Sequence, residues 1–327
     1  MISFLSNAVL VKIRAKYAKR LSSNDYKALL SSENVTEIAN YLKSKDVYCN
    51  SLSKMNSEIH RGPLEKALMQ SFFEDLSALA NYDLKFSKKV FKYIILCSEI
   101  KQINKFLTFL KSDNSEKFEC FLPRFLQLKS KIKFNQFNKI KSYKDLTTFL
   151  RITEYYKILQ SFEHDVPIDI NIIETGLYNY KFQTILNSIY ELKKISKETK
   201  KFFYKCIDIM NIIRVLRTKK VCNPSNDYIS KIVFKFGDYK FNNYDICEEQ
   251  LKNIFGNDIN SVQKLEKEFK KIKFKWAKKN IRYSSVPEII AFSYISLKEF
   301  EIMNITNIIE GVRYKLPSDR IEKMLIK

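Results

Sequence analysis

The chain has 327 residues, a mass of 38.8 kDa and a formal net charge of +22. Five glycines and six prolines leave few turn formers, and the glycines at 62, 176, 237, 256 and 311 stand singly, which argues against a Gly-rich phosphate loop and against turn-dense all-β sandwiches and barrels. With 45% apolar and 14% aromatic residues the chain can build a core, so global disorder is excluded.

The first eleven residues are apolar apart from Ser3, Ser6 and Asn7, but the charges Lys12, Arg14 and Lys16 follow them rather than precede them. No small-residue cleavage site is present, so this start does not read as a signal peptide. No run approaches the ~20 apolar residues needed to span a bilayer.

Helical periodicity, with apolar residues recurring at three and four, then runs through 37–42, 64–79, 90–110, 172–192, 202–216 and 288–309. Residues 228–244 are the exception. There Ile232, Phe234 and Phe236 alternate with Val233, Lys235 and Gly237, which predicts an extended loop or a small hairpin turning at Gly237-Asp238. The tract Lys264 to Lys279 interleaves lysines with Leu265, Phe269, Ile272, Phe274 and Trp276. Its spacing predicts a surface helix with lysines outward and the aromatics, Trp276 included, inward. So few strand signals predict an all-α protein.

Two elements repeat. Asn34 to Tyr48 matches Ser142 to Tyr156 without a gap, at an offset of 108. Both open on a helix-capping pattern, Asn34 with Glu37 and Ser142 with Asp145. The second element is an acid, Ile, any residue, an amide and Ile. It occurs at Glu99–Ile103, Asp208–Ile212 and Glu301–Ile305, at offsets of 109 and 93. The near-equal offsets of 108 and 109 predict three related helical units, 1–118, 119–222 and 223–327. A third copy of the first element is poorly preserved, with Ser261 to Phe269 as its nearest remnant.

In each second element the acid and amide, Glu99 with Gln102, Asp208 with Asn211 and Glu301 with Asn304, share one helix face at i and i+3. Buried among isoleucines they need partners. The expected role is structural, fixing the register of a neighbouring segment. A paired-carboxylate catalytic site is the alternative, but three copies with no histidine, activated nucleophile or metal set beside them do not suit catalysis. His60 and His164 sit in no metal or triad pattern, and the six cysteines form no CxxC, as expected of small apolar residues in a reducing compartment. No catalytic residue, metal or cofactor is expected.

The charge comes from 48 lysines and only ten arginines. Such a balance favours an acidic partner, whether nucleic acid, anionic lipid or protein, although abundant Lys, Asn and Ile also fit an AT-rich coding sequence. Base reading would more often use arginine forks. A basic helical nucleic-acid binder stands as the alternative functional reading.

The segment from Pro287 to Leu325, PEIIAFSYISLKEFEIMNITNIIEGVRYKLPSDRIEKML, resembles the C-terminal signature of the C-subunit family of bacterial and archaeal V/A-type ATPases, whose eukaryotic relative is the d-subunit. The opening from Val11 to Tyr48 and HRGPLEKAL at His60 to Leu68 resemble the same family. The resemblance runs the whole length and is strongest at the C-terminus. It implies an all-helical, funnel-shaped socket of three similar units in a pseudo-threefold arrangement, present as one copy per complex. Such a socket is not an enzyme. It receives the shaft subunits D and F, sits on the proteolipid rotor ring at the cytoplasmic face of the cell membrane, and turns with the ring in ATP-linked proton or sodium transport. On that basis Phe4, Leu5, Val9 and Ile13 are expected to approach the ring. Lys12, Lys16 and Lys19 are expected to meet acidic loops or anionic lipid headgroups. No nucleic acid is expected as a partner.

Overall fold

The computed structural model is all-α, with no β-strand among the described residues. It describes the chain except residues 1–3, 54, 56–58, 81–83, 121, 123, 164–167, 192–196 and 260, and it leaves the side chains of 4–7, 80, 84–90, 124–125, 189–191 and 258 undescribed as well. The chain divides into two compact units, residues 1–91 with 270–327, and residues 92–269. The first unit begins with α1 (Phe4–Ala18), α2 (Ser23–Leu30), α3 (Val35–Lys43), α4 (Cys49–Leu52), α5 (Arg61–Ala80) and the start of α6 (Leu84–Lys111). The second takes the rest of α6 and then α7 (Arg124–Lys129), α8 (Tyr143–Phe149), α9 (Tyr156–Gln160) and α10 (Ile170–Glu191). It continues through α11 (Lys197–Val221), α12 (Asn226–Ile232), α13 (Tyr244–Phe255) and the first part of α14 (Val262–Tyr283). The end of α14, α15 (Pro287–Arg313) and α16 (Ser318–Met324) complete the first unit.

Short polar side chains set the helix starts. Ser22 accepts from the Asp25 N–H while Asp25 accepts from the Ser22 N–H, and Ser142 with Asp145 does the same at α8. Asn34, Ser225 and Asn243 cap α3, α12 and α13 through their side-chain oxygens. Each such cap contributes about 1 kcal/mol. Two helix ends are closed without glycine. After α6, Asp113 takes a φ of 51°, and the Asn114 N–H reaches the Phe109 carbonyl at 3.0 Å. After α15, Lys315 takes a φ of 52°, and the Leu316 N–H reaches the Gly311 carbonyl at 2.9 Å. These are Schellman closures whose left-handed residue is ordinarily glycine. Each lies 14 positions after the acid of its repeat, at 113 − 99 and 315 − 301.

In the first unit α15 is buried nearly all round, through Ile289, Ile290, Tyr294, Ile295, Ile302, Ile305, Ile308 and Ile309, as a central core helix should be. α1 packs along it and buries Val9 and Ile13 completely, each worth about 1.5–3 kcal/mol in transfer. α16 folds back against the end of α15. A Cβ on Gly311 would meet Ile321 Cγ1 at 2.5 Å, so only a glycine admits this approach.

The second unit has a core of aliphatic residues around an aromatic group. Phe106 meets Phe137 at 4.7 Å and Phe118 at 5.2 Å between ring centroids, both edge-on, the geometry that ring quadrupoles favour. The stretch expected to be extended begins later than the alternation predicts. Residues 228–232 complete α12 behind the Ser225 cap, and only from Val233 is the backbone extended, as a loop without a hairpin. The alternation there still reports burial, since Ile232 and Phe234 are core residues and Phe234 stacks on Tyr178 at 5.3 Å.

On α14, Leu265, Phe269, Ala277 and Ile281 are buried while Lys270, Lys275 and Lys279 are exposed or half-exposed, so the lysines do face outward. Ile272, Phe274 and Trp276 are half-buried rather than core.

Candidate functional site

The three acid–amide pairs are all buried, and two of them pin their helix to another segment through both members. On α15 the two carboxylate oxygens of Glu301 are fully engaged. Oε2 accepts from the Leu21 N–H at 3.0 Å, and Oε1 accepts from Tyr48 Oη at 2.5 Å and Lys298 Nζ at 2.6 Å. One turn on, Asn304 makes a two-bond clasp with residue 326, donating to the Ile326 carbonyl at 2.8 Å and accepting from its N–H at 2.9 Å.

On α11 the amide repeats this clasp. Asn211 donates to the Phe234 carbonyl at 3.1 Å and accepts from the Phe234 N–H at 2.7 Å. Asp208 accepts from the N–H groups of Asp238 at 3.0 Å and Tyr239 at 3.4 Å. Burial pushes its carboxyl up to about 6, against the pull of these two bonds. The turn that presents those N–H groups depends on Gly237. Its φ is 135°, and a Cβ there would lie 2.2 Å from Asp208 Oδ1.

On α6 only the acid makes the tie. Glu99 accepts from Ser130 Oγ at 2.5 Å and Tyr155 Oη at 2.6 Å. Burial raises its pKa, and the two hydroxyls oppose the rise. Gln102 is buried beside it, and its Oε1 has no hydrogen-bond partner among the described residues.

Sequence reasoning pairs the acids with the amides but misses their tyrosines. Tyr48 and Tyr155 each stand at the N-cap of a short helix, α4 and α9. The ungapped match equates Tyr48 with Tyr156, so the hydroxyl contacts slip that match by one residue. Two arginines are also missed. Arg14 donates to the Ile281, Arg282 and Ser284 carbonyls at 3.0, 3.3 and 2.8 Å, closing the C-terminal end of α14. Arg214 donates to the Ile232 carbonyl at 2.7 Å at the end of α12 and forms an ion pair with Glu174 at 2.6 Å. Both put a cation at the negative end of a helix, a contact between distant residues that no short motif announces.

The residues expected to approach a ring or lipid are differently placed. Val9 and Ile13 have no exposed surface, while Val11 on the same helix is 66% exposed. Phe4 and Leu5 begin α1, but their side chains lie outside the described residues. Lys16 is paired with Asp75 at 2.5 Å and Lys19 with Asp46 at 3.3 Å, and Lys12 is exposed. His164 also lies outside the described residues.

What this arrangement does is hold helices in register. The carboxylates of the three pairs accept hydrogen bonds from internal donors, which joins each acid helix to another segment. No group of three or more His, Cys, Asp or Glu able to hold a metal ion occurs among the described residues. No helix among them is long and apolar enough to cross a membrane.

The family described as ATP synthase (C/AC39) subunit matches residues 9–324. The C-subunit of the A-type ATP synthase of Methanosphaera stadtmanae is 26% identical over 259 residues, a stretch covering 77% of this chain and 62% of that protein.

Proposed function

This chain belongs to the ATP synthase (C/AC39) subunit family, and from that premise we propose that it is the non-catalytic central-stalk socket of a V/A-type rotary ATPase. In this reading it receives the shaft subunits D and F and sits on the proteolipid ring at the cytoplasmic face of the membrane, one copy per complex. It carries torque between ion transport and ATP chemistry without a reaction of its own. The observation that supports the reading best is the set of buried acid–amide pairs, which tie helix to loop and to distant helix by hydrogen bonds at three places. A torque adapter must not yield, and a close-packed interior with such ties transmits strain rather than absorbing it.

The three-unit organisation is part of the proposal. The repeated acid helices are α6, α11 and α15. Glu99 of α6 reaches the α8–α9 segment through Tyr155, and Glu301 of α15 reaches the α3–α4 segment through Tyr48. α13 packs on α11 behind an Asn243 cap, which makes it a better counterpart of α3 and α8 than the remnant at 261–269. The exposed Val11 replaces Val9 and Ile13 as the apolar contact that α1 offers a ring.

The test is reconstitution. Membranes holding ring and catalytic sector are prepared with and without this chain, and ATP hydrolysis and ion uptake are followed together. The expected result is hydrolysis in both preparations and ATP-driven ion uptake only with the chain, which co-purifies with ring and shaft. Full coupling in its absence, or ATP hydrolysis by the isolated chain, overturns the reading.

A further inference from the structure

Two large aliphatic side chains of the second compact unit are left in water. Leu128, near the end of α7, is 77% exposed, and Ile152, in the turn between α8 and α9, is 79% exposed. The stretches that carry them are tied together. Glu99 accepts from Ser130 Oγ at 2.5 Å and from Tyr155 Oη at 2.6 Å, and Lys131 pairs with Glu154 across the two stretches at 3.1 Å. Beneath them Ile132, Leu150 and Tyr155 share one core. Apolar side chains held out on adjoining segments and rimmed by polar groups mark an interaction surface.

The charge around them is one-sided. Residues 128–160 carry eight basic side chains and two acidic ones, a net of +6. Both acids are already engaged, Asp145 in the cap of α8 with Ser142 and Glu154 with Lys131. Arg151 and Lys157 are exposed beside Ile152 in sequence. The first unit provides the comparison. Its stretch 20–52, at the repeat offset of 108, carries four basic and four acidic side chains, a net of zero. Arg20 and Ser44 stand there at the places of Leu128 and Ile152, and no large apolar residue of 20–52 is exposed. The two stretches share one coding sequence and its bias, so an AT-rich composition does not explain why only the second is cationic and apolar at its surface.

We propose that this face of the second unit docks an acidic protein segment that presents apolar side chains among its carboxylates, as an acidic amphipathic helix does. The inference stands on the second unit alone and does not rest on the family reading. The surplus of cations calls for an acidic partner, and the aliphatic pair calls for apolar side chains to cover it. Nucleic acid fits less well, since no aromatic residue of 128–160 is exposed to stack on a base. An anionic membrane fits less well too. Interfacial binding uses a continuous apolar face along a helix, whereas Leu128 stands on a helix of six residues and Ile152 on a turn.

The experiment uses the full chain. The probe is a labelled helical peptide of about five turns with Leu along one face and Glu on the others, titrated by fluorescence anisotropy. Duplex DNA and phosphatidylserine vesicles are measured in parallel. The expected result is saturable peptide binding, at least tenfold tighter than that of the same peptide with Ser for Leu or with Lys for Glu, and weaker as salt rises. L128S/I152S and, separately, R151Q/K157Q should each weaken it at least tenfold. Both variants should melt near the parent, because all four side chains are exposed. If L128S/I152S does not fold, R151Q/K157Q decides. No saturable binding, equal binding of the Ser-for-Leu peptide, or unchanged binding by the folded variants overturns the proposal. Binding of DNA or vesicles that R151Q/K157Q abolishes, with no binding of the peptide, overturns it in favour of nucleic acid or membrane.

Discussion

Tyr48 Oη donates to Glu301 Oε1 across 2.5 Å in a buried contact between residues 253 positions apart in sequence. It has a counterpart in Tyr155 and Glu99 at 2.6 Å, 56 positions apart. In both cases the acceptor is a buried acid, and burial together with the facing carboxylate raises the pKa of each tyrosine. The phenols therefore stay protonated and remain donors throughout the ordinary pH range. Removing a donor from a buried acceptor costs about 1–3 kcal/mol. Tyr155→Phe is expected near the top of that range, because Glu99 keeps only Ser130. Tyr48→Phe is expected near the bottom, because Glu301 keeps Lys298 and the Leu21 N–H. Urea denaturation of the two variants measures both, and a larger loss for Tyr48→Phe would show that the phenols do not hold these carboxyls.

The Lys298–Glu301 pair predicts a second asymmetry. Both groups are buried, at 5% and 7% exposure. Cutting one partner strands a charge and costs about 3–5 kcal/mol, whereas replacing both with apolar groups is often close to neutral. Lys298→Met is therefore expected to lower stability by that amount, and the K298M/E301L pair to recover much of it. The recovery should be incomplete, because Leu21 N–H and Tyr48 Oη lose their acceptor as well. A double variant less stable than Lys298→Met alone would rule this account out.

Much of this is legible in the sequence, for identifiable reasons. The periodicity of 288–309 marks α15, because a helix buried all round leaves isoleucines at every turn. The cap pairs Asn34–Glu37 and Ser142–Asp145 mark α3 and α8, because capping is a local interaction three residues long. The acid–amide spacing announces a structural clasp, since polar groups among isoleucines need partners. What the sequence withholds is the identity of those partners. Nothing near residue 301 names Tyr48, and nothing near residue 14 names the carbonyls of 281–284. Such contacts are set by the fold as a whole. Val9 and Ile13 are buried within the unit, and the sequence does not show this, because an apolar residue on α1 reads alike whether it faces a partner or the core.

Asp208 makes stability depend on pH in a definite direction. Its pKa is raised to about 6 in the folded chain from an ordinary value near 3.8, so between these values the folded state holds a proton that the unfolded state has released. Its contribution is most favourable below about pH 4, declines as pH rises toward 6, and is constant above about pH 7. At about 1.4 kcal/mol per unit the whole decline is of the order of 3 kcal/mol. The stability of the parent relative to Asp208→Asn, measured in urea at pH 4, 5, 6 and 7, is expected to fall over this window. A relative stability that is flat or grows with pH would contradict the burial-driven shift.

Gly237 and Asp208 should couple. Alanine at 237 meets two penalties, a φ of 135° and a Cβ placed 2.2 Å from Asp208 Oδ1. The backbone penalty alone is about 1–3 kcal/mol. Gly237→Ala is therefore expected to cost more than about 2 kcal/mol in the parent, and less in an Asp208→Ala background, where the collision is gone and the strain remains. A thermodynamic cycle over the four proteins tests this, and strict additivity would mean that the two residues do not touch.

The burial of α1 against α15 has a consequence for biosynthesis. α1, which buries Val9 and Ile13, packs along a helix that ends at Arg313, roughly 300 residues later in the order of translation. At roughly 5–20 residues per second, the ribosome needs roughly 15–60 s to deliver it. For that interval α1 presents a greasy stripe to water, a natural substrate for a chaperone that waits with it until α15 emerges.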